Sequence, residues 1–293
     1  MNPIITIIIP TYNREKIISS TIDSIIQQSF TNWECLIIDD YSDDNTFNLI
    51  NKYILYDKRL KYSKNIYSKG AQGARNTGIE LSNGKYLIFF DSDNIMQIKC
   101  LELLYNNLIL NNADISTCFS FVFDKQKNIE TGEFNWINEG NIHNKLIKWE
   151  TYVDNSSALI DKNIINNIGR FDEDCPSFQE MDLHIRLSEI ANYTTIKEKL
   201  VIYNANNTDS ISSDVIKSIK GYFFLINKYE RKFKQNIFSY LNIGLSLYRL
   251  IDKLKDKNLQ NNYKKQLLKT IPIFRYKIIL SLILYTHNKF KLI

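Results

Sequence analysis

The fold is decided by the segment Ile4-Ile5-Thr6-Ile7-Ile8-Ile9-Pro10-Thr11-Tyr12-Asn13. Its nearly continuous run of β-branched residues is typical of a short strand buried inside a parallel sheet. Pro10 has no backbone N–H to donate, so we expect the strand to end at Ile9. The residues that follow would then lie at the carboxyl edge of the sheet, where ligands bind in α/β folds.

Strand and helix patterns alternate in the segments that follow. Apolar residues at helical spacing predict helices over about residues 14–28, 43–56 and 71–81. Further strands are predicted over residues 33–38, 59–63 and 86–90. Because this order requires crossover connections, the predicted fold class is α/β, with a doubly wound, mostly parallel sheet and helices on both faces.

Later segments predict a mixed second half. We expect a polar, aromatic-bearing stretch, residues 132–148, to cover a pocket. Helices are predicted over residues 97–110 and 178–190, strands over 114–123 and 156–160, and helices alone from about residue 213.

Charge divides the chain in two. The 293 residues carry a net charge of +5, and a hydrophobic fraction of 44% excludes a disordered chain. Residues 1–216 hold 20 basic and 29 acidic side chains, whereas residues 217–293 hold 17 basic and 3 acidic ones. We therefore expect a nucleotide-binding and catalytic domain over 1–212, with halves 1–96 and 97–212, and a basic helical region over 213–293.

Cellular location is constrained by weaker signals. The four cysteines form no CxxC pair, which fits a reducing cytoplasm. The apolar run at the N-terminus is too short for a signal peptide, and the apolar stretch Ile278–Tyr285 is far below the roughly 20 residues that cross a bilayer. We expect a cytoplasmic protein that is soluble or bound to the inner face of the membrane.

Acidic and small residues follow the predicted strands. Asp91 and Asp93 are spaced to direct two carboxylates to one side, which suits a hard divalent cation, although on spacing alone a turn or a helix cap is the simpler explanation. Asp39 ends another strand and could bind a base or a ribose. The small residues of Gly70–Gly78 begin a helix that either binds an anion with Arg75 or packs closely on the sheet.

Five ordered segments resemble those of family 2 glycosyltransferases. They are Pro10–Asn13, Ile38–Thr46, Ala74–Gly78, Asn83–Tyr86 and Phe90–Asn94. The resemblance extends throughout residues 4–100 and more loosely to about residue 205. It implies a GT-A type, Rossmann-like domain that transfers a sugar from a nucleotide diphosphate sugar, expected to be a UDP-sugar, to an acceptor hydroxyl with inversion.

The same resemblance implies roles for individual residues. Asp91 and Asp93 would hold Mn²⁺ or Mg²⁺ against the diphosphate. The nucleotide would be bound by Pro10, Thr11, Tyr12, Asn13, Asp39, Arg75, Asp91 and Ser92.

Two further motifs of the family are matched less closely. Gly169–Glu173 resembles its Gly-Gly-Phe-Asp-Glu turn, with Arg170 for the second glycine. Gln179–Arg186 resembles its Glu-Asp-x-Asp-Leu-Trp-x-Arg helix. In this register Glu180 replaces the catalytic aspartate and would be the general base, with Asp182 as the second candidate; Asp182 could instead pair with Arg186 one helical turn away.

Three functions are consistent with these patterns. The favoured one is an inverting glycosyltransferase of surface-polysaccharide synthesis, acting on a glycan or lipid-linked acceptor. Gln179 and His184 depart from the family helix, which would suit a non-catalytic subunit that binds nucleotide sugar or glycan. A sugar nucleotidyltransferase would also use a parallel sheet and acidic metal ligands, but it would release pyrophosphate.

The basic C-terminal region suggests a surface contact. Residues 271–293 mix large apolar side chains with lysine and arginine, the composition of a helix at an anionic membrane surface, or of one that packs on the core. Nucleic acid is not an expected partner, because the acidic part of the chain would repel it. Self-association into a homo-oligomer remains open.

Overall fold

The computed structural model describes residues 2–205 and 214–271. The chain divides into two compact units, Met1–Ser210 and Ile211–Ile293. The first unit is built around one sheet, and the described part of the second consists of helices. The interfacial helix predicted over residues 271–293 lies, apart from Ile271, outside the described residues.

A single nine-stranded sheet organises the first unit, in the order β3-β2-β1-β4-β8-β6-β9-β5, with β7 paired to β6. The strands are β1 Ile5–Thr11, β2 Trp33–Asp39, β3 Leu60–Lys64, β4 Tyr86–Phe89, β5 Ile95–Met96, β6 Ile115–Asp124, β7 Ile129–Phe134, β8 Ala158–Asp161 and β9 Tyr193–Asn204. The first four are mutually parallel, as are β6 and β9. Antiparallel pairs join the remaining strands.

Helices connect these strands and form the described part of the second unit. They are α1 Ile18–Ile26, α2 Thr46–Tyr56, α3 Ala71–Leu81, α4 Cys100–Leu110, α5 His143–Ile147, α6 Lys162–Ile168, α7 Gln179–Leu187, α8 Val215–Lys228, α9 Glu230–Gln235, α10 Ile237–Asp252 and α11 Lys257–Thr270. None of the helices among the described residues is long and apolar enough to cross a membrane. The predicted α/β class and the helical C-terminal region are confirmed.

Alternation along β1 places helices on opposite faces of the sheet. Ile5, Ile7 and Ile9 join a buried cluster with the apolar side chains of α1 and α4. Ile8 points the other way, because successive side chains of a strand face opposite sides. There it meets α3 so closely that a Cβ at Gly78 would lie 2.3 Å from Ile8 Cγ2. The helix that carries Arg75 is therefore held against the centre of the sheet.

Several details differ from the sequence-based predictions. β1 continues through Pro10 to Thr11, which is possible because β4 pairs with β1 only as far as Ile8 and leaves the N–H side of Pro10 without a strand. Strands β5, β7 and β9 and helix α6 were not predicted. The stretch 132–148, expected to be a covering loop, begins in β7 and ends around α5.

Candidate active site

The chain turns sharply into α3 around Gly70 and Gly73. Gly70 has φ of 126°, and a Cβ at Gly73 would lie 1.9 Å from the carbonyl oxygen of Ser68. The buried carboxylate of Asp40, just after β2, accepts hydrogen bonds from Gly70 N–H and Asn65 Nδ2, each at 2.8 Å. These contacts attach the start of α3 to the carboxyl edge of the sheet.

Arg75 on α3 joins the two halves of the first unit. Its buried guanidinium donates from Nη2 to Asp91 Oδ1 at 2.8 Å, and its Nη1 lies 3.8 Å from Glu180 Oε1. Burial acts to lower the pKa of Arg75, but the charges of Asp91 and Glu180 raise it by a larger amount. The pKa therefore lies above its usual value, and the group remains a cation. Its Nε and Nη1 have no hydrogen-bond partner, although they are buried.

Asp91, Ser92 and Asp93 form the turn after β4. The Asp91 side chain keeps 38% of its surface exposed, whereas Ser92 is buried. Asp91 N–H donates to Ser156 Oγ at 3.3 Å, and Asn204 Nδ2 donates to the carbonyl oxygen of Asp93. Side chains from the second half of the unit thus fix the backbone that presents both carboxylates.

The two candidate bases on α7 have different surroundings. Glu180 is 18% exposed and faces Arg75; burial raises the pKa of its carboxyl, and Arg75 partly opposes that rise. Asp182 is fully buried, and its Oδ2 accepts from Nε and Nη2 of Arg186 at 3.1 and 2.9 Å. Residues two apart on a helix point in nearly opposite directions, so Glu180 alone of the two faces Arg75.

The residues expected to bind the nucleotide lie at the ends of β1 and β2. Asp39 is buried and accepts from the hydroxyls of Ser42 and Tyr62, at 2.5 and 2.8 Å. Tyr12 is 43% exposed, with the Lys69 ammonium 5.0 Å from its ring centre. This exposed ring beside a cation is suited to stack on a base.

Pro10, Thr11 and Asn13 shape the same edge. Thr11 is buried, and its hydroxyl donates to the carbonyl oxygen of Ile9. Two hydrogen bonds join Asn13 and Asp43. Asn13 Nδ2 donates to Asp43 Oδ1 at 2.7 Å, and Asp43 N–H donates to Asn13 Oδ1 at 3.0 Å. Within β1, Pro10 is in register with Ile38 of β2. The three residues hold the loop around Tyr12 in place.

The turn Gly169–Glu173 attaches the second half of the unit to α3. Phe171 N–H donates to Asn76 Oδ1 at 2.9 Å, and Asn76 Nδ2 donates to Glu173 Oε1 at 2.7 Å. Arg170, which stands where the family has glycine, donates to Tyr67 and to Glu80. The turn therefore contributes to positioning α3, and with it Arg75.

His184 is a buried structural residue. Its Nδ1 lies 3.1 Å from the Tyr193 hydroxyl, and burial with the nearby charge of Arg186 lowers its pKa to about 3. A neutral imidazole inside the fold therefore stands at the position where the motif that this helix resembles has tryptophan.

Asp154 is a site residue that sequence reasoning missed. The hydroxyl of Tyr203, near the end of β9, donates a hydrogen bond to Asp154 Oδ2. The pKa of Asp154 is raised to about 7, mainly by burial; the charges of Asp91 and Glu180 add to the rise, and the hydrogen bond from Tyr203 opposes it. Asp154 follows no predicted strand and belongs to no motif, so its position just before the predicted strand at 156–160 was the available signal.

The donor set fits a hard divalent cation that is completed by substrate oxygens. Among the described residues, no group of three or more His, Cys, Asp or Glu side chains is arranged to hold a metal ion. Asp91 and Asp93 are a two-carboxylate set, and Mg²⁺ is commonly bound by one or two carboxylates together with substrate phosphates and water. Burial is the main cause of the raised pKa of Asp154, and the nearby carboxylates of Asp91 and Glu180 add to it; a dication would offset the charge of these carboxylates.

Comparisons with known proteins identify the family of this chain. The model of Glycosyl transferase family 2 matches residues 6–169. The chain is 40% identical over 109 residues to the Escherichia coli UDP-Glc:alpha-D-GlcNAc-diphosphoundecaprenol beta-1,3-glucosyltransferase WfgD, which is 37% of this chain and 42% of that protein. This chain spans less than half the length of WfgD and of two further curated relatives that it matches.

Solved structures share the fold at lower identity. Staphylococcus aureus TarS residues 1–349, in complex with UDP-GlcNAc, aligns with a TM-score of 0.70 and 19% identity, covering 92% of this chain and 81% of that one. A mannosyltransferase from Pyrobaculum calidifontis, in complex with GDP-Man and Mn²⁺, aligns with a TM-score of 0.62 and 14% identity, covering 96% and 81%. Since the family model covers more than half of the chain, this protein belongs to glycosyl transferase family 2.

Proposed function

We propose that this protein is an inverting glycosyltransferase that moves a sugar from a UDP-sugar to a hydroxyl of a glycan or lipid-linked acceptor in surface-polysaccharide synthesis. The observation that carries the proposal is the position of Arg75, a buried cation with one hydrogen bond to Asp91 and a second nitrogen 3.8 Å from Glu180. A donor phosphate and a general base are thus accommodated beside one guanidinium.

The first function of the site is to bind the nucleotide. Tyr12 offers an exposed ring to the base, and Asp39 retains lone pairs for the ribose or the base, since a carboxylate has about four acceptor positions. Nε and Nη1 of Arg75, which make no hydrogen bond within the protein, supply N–H groups for anionic oxygens of the nucleotide sugar. The relative named for a UDP-Glc donor and the TarS complex with UDP-GlcNAc support UDP as the nucleotide.

Transfer then takes place in a single displacement. The acceptor oxygen forms a bond to the anomeric carbon, while the bond from that carbon to the diphosphate oxygen breaks. Glu180 takes the proton of the acceptor hydroxyl, and its raised pKa makes it a better proton acceptor than an ordinary carboxylate. Nucleoside diphosphate leaves with the electron pair of the broken bond.

Asp91 and Asp93 would hold Mn²⁺ or Mg²⁺. When bound, the ion supplies Lewis-acid stabilisation of the charge that develops on the leaving diphosphate. The structural neighbour crystallised with GDP-Man and Mn²⁺ supports metal use. Ser156 and Asn204 hold the backbone of the turn that carries the two carboxylates.

The acceptor side rests on the relatives. WfgD is named for an acceptor linked to diphosphoundecaprenol, which supports a lipid-linked acceptor and a location at the inner face of the membrane. The excess of basic residues in 217–293 would favour contact with an anionic lipid surface. Liposome sedimentation of the full-length protein tests this, and no binding to anionic vesicles would contradict it.

A thermal-shift screen of nucleotide sugars with Mn²⁺ tests the donor assignment, because a ligand that binds only the folded state raises the melting temperature. At least one UDP-sugar should raise it in wild type and not in D93A. No shift with any donor would contradict the proposal. A shift without sugar transfer to any acceptor or to water would identify a binding subunit instead.

A further inference from the structure

Asp154 lies next to the structure that supports the candidate metal carboxylates. It precedes a short 3₁₀ helix, Asn155–Ser157, in which Ser156 Oγ accepts hydrogen bonds from Asp91 N–H at 3.3 Å and Asn94 Nδ2 at 3.0 Å. The position of Asp154 is therefore fixed relative to the Asp91 turn by backbone that is only two residues long.

The carboxylate of Asp154 is also fixed by its own contacts. The hydroxyl of Tyr203 donates to Oδ2, and the ring of Tyr203 packs edge-on against Phe134, with 5.6 Å between the ring centres. Asp154 is neither fully buried nor fully exposed, so part of its side chain is accessible to a ligand. Tyr203 and the backbone N–H of Ser156 use two of the roughly four acceptor positions of the carboxylate, so others are available to a ligand.

Buried polar groups that make no hydrogen bond occur in the same part of the unit. Asp154 is within electrostatic reach of Arg75, Asp91 and Glu180, and Arg75 is buried with Nε and Nη1 lacking hydrogen-bond partners. The adjoining Asn155 is 2% exposed, and neither its amide oxygen nor its amide nitrogen has a partner. Buried polar atoms are almost always satisfied in folded proteins, so these groups indicate a ligand rich in donors and acceptors.

The geometry of the proposed reaction says which part of the ligand would lie here. This step rests on the proposed function. The sugar must lie between the diphosphate, at Asp91, and the base that activates the acceptor, Glu180. The Ser156 contact holds Asp154 close to the Asp91 turn, and Asp154 is within electrostatic reach of Glu180, so its carboxylate would face the transferred sugar rather than the nucleotide or the bulk of the acceptor.

We propose that Asp154 is a specificity-determining residue, whose carboxylate accepts a hydrogen bond from a hydroxyl of the donor sugar while Tyr203 holds it in place. Donors with a hydroxyl at the contacted position would be favoured over their deoxy counterparts. Selection against the deoxy sugar would be strong, because a site built to bind a hydroxyl leaves its own polar group unpaired when that hydroxyl is missing.

Calorimetric titration without acceptor tests this. UDP and the UDP-sugar that binds wild type most tightly are each titrated, with Mg²⁺, into wild type, D154N, D154A, Y203F and the control D23N. Asp23 is an exposed aspartate on α1. The ratio of the two dissociation constants, UDP-sugar over UDP, isolates the contribution of the sugar.

The inference predicts that D154A and D154N raise this ratio by about tenfold to a hundredfold, the usual worth of a hydrogen bond to a charged group, with a smaller rise in Y203F and none in D23N. In wild type, one monodeoxy UDP-sugar should show the same loss, and D154N should add little to it.

Three outcomes would overturn the inference in distinguishable ways. An unchanged ratio in folded D154N overturns it alone. Weaker binding of UDP and UDP-sugar to the same extent would assign Asp154 to the diphosphate instead. A wild type that binds no nucleotide sugar at all would overturn the proposed function as well. Should D154A not fold, the nearly isosteric D154N and Y203F, together with the deoxy sugar, decide the matter.

Discussion

Arg75 Nη2 donates a hydrogen bond to Asp91 Oδ1 at 2.8 Å, from a buried position on α3 to the partly exposed turn after β4. The pair connects helix α3 with the turn after β4, and the two residues lie 16 positions apart in the sequence. Since the other nitrogen of the same fork lies near Glu180, Arg75 relates the donor side of the site to the base. A lysine could not contact both carboxylates with separate donors in a rigid plane.

Replacing Arg75 by lysine should therefore weaken nucleotide binding by about tenfold or more, because charge-assisted hydrogen bonds contribute roughly 1.5–3 kcal/mol. Titration calorimetry with UDP and Mg²⁺ measures this. Arg59→Lys is the matched control, since Arg59 pairs with Asp57 at the opposite end of the strands. Equal losses of affinity in the two variants would contradict the role given to Arg75.

Replacing Asp182 by asparagine should lower stability more than it lowers catalysis. The substitution leaves Arg186 partly buried without its charged partner, and breaking a buried ion pair costs about 3–5 kcal/mol. Urea unfolding should show the loss, while the folded variant retains measurable turnover at low temperature. A stable D182N protein without any turnover would instead make Asp182 the base.

The contribution of Asp154 to stability should fall as pH rises from about 4 to about 7, in protein free of metal and nucleotide. Between these values Asp154 stays protonated in the folded state, where its pKa is about 7, but ionises in the unfolded state. At this group the unfolded chain then binds fewer protons, which lowers the free energy of unfolding as pH rises, whereas His184, whose pKa is lowered to about 3, contributes in the opposite direction. Thermal melts of wild type and D154N across this range measure the effect. The same pH dependence of the melting temperature in both proteins would contradict this assignment to Asp154.

Gly78→Ala should destabilise the first unit by about 1–3 kcal/mol, the usual cost of overpacking. The added Cβ would lie 2.3 Å from Ile8 Cγ2 and would push α3 away from β1. Gly132→Ala is the control, because its Cβ would meet only Val122 at 3.8 Å. Denaturant unfolding compares the two, and equal stabilities would contradict the close packing of α3 on the sheet.

Local patterns were sufficient to predict the nucleotide half of the fold. Helix α3 has the predicted bounds, Ala71–Leu81, because small residues and the turn at Gly70 mark its beginning so clearly. Strand β1 was predicted to end at Ile9 but continues for two more residues to Thr11, since the tolerance for Pro10 depends on where its neighbour β4 ends. That information is not in the segment itself.

Long-range pairing accounts for most of what could not be predicted. Strand β7 is exposed along its whole length and is held by pairing with β6, so it has no hydrophobic pattern. Strand β9 is interrupted by exposed residues at 197–199, where its register with β6 shifts. Asp154 and Tyr203 are 49 residues apart, and only this pairing brings them together.

The central claim is that Glu180 deprotonates an acceptor while nucleoside diphosphate leaves from the site at Arg75 and Asp91. It is tested most directly by measuring the products that wild type and Glu180→Gln release from the UDP-sugar that binds most tightly, with Mg²⁺ and with membrane lipid as the source of acceptor. Wild type should release UDP, and E180Q should bind the donor equally well but turn over about 10²–10⁴ times more slowly. Release of pyrophosphate, or equal rates in the two proteins, would contradict the account.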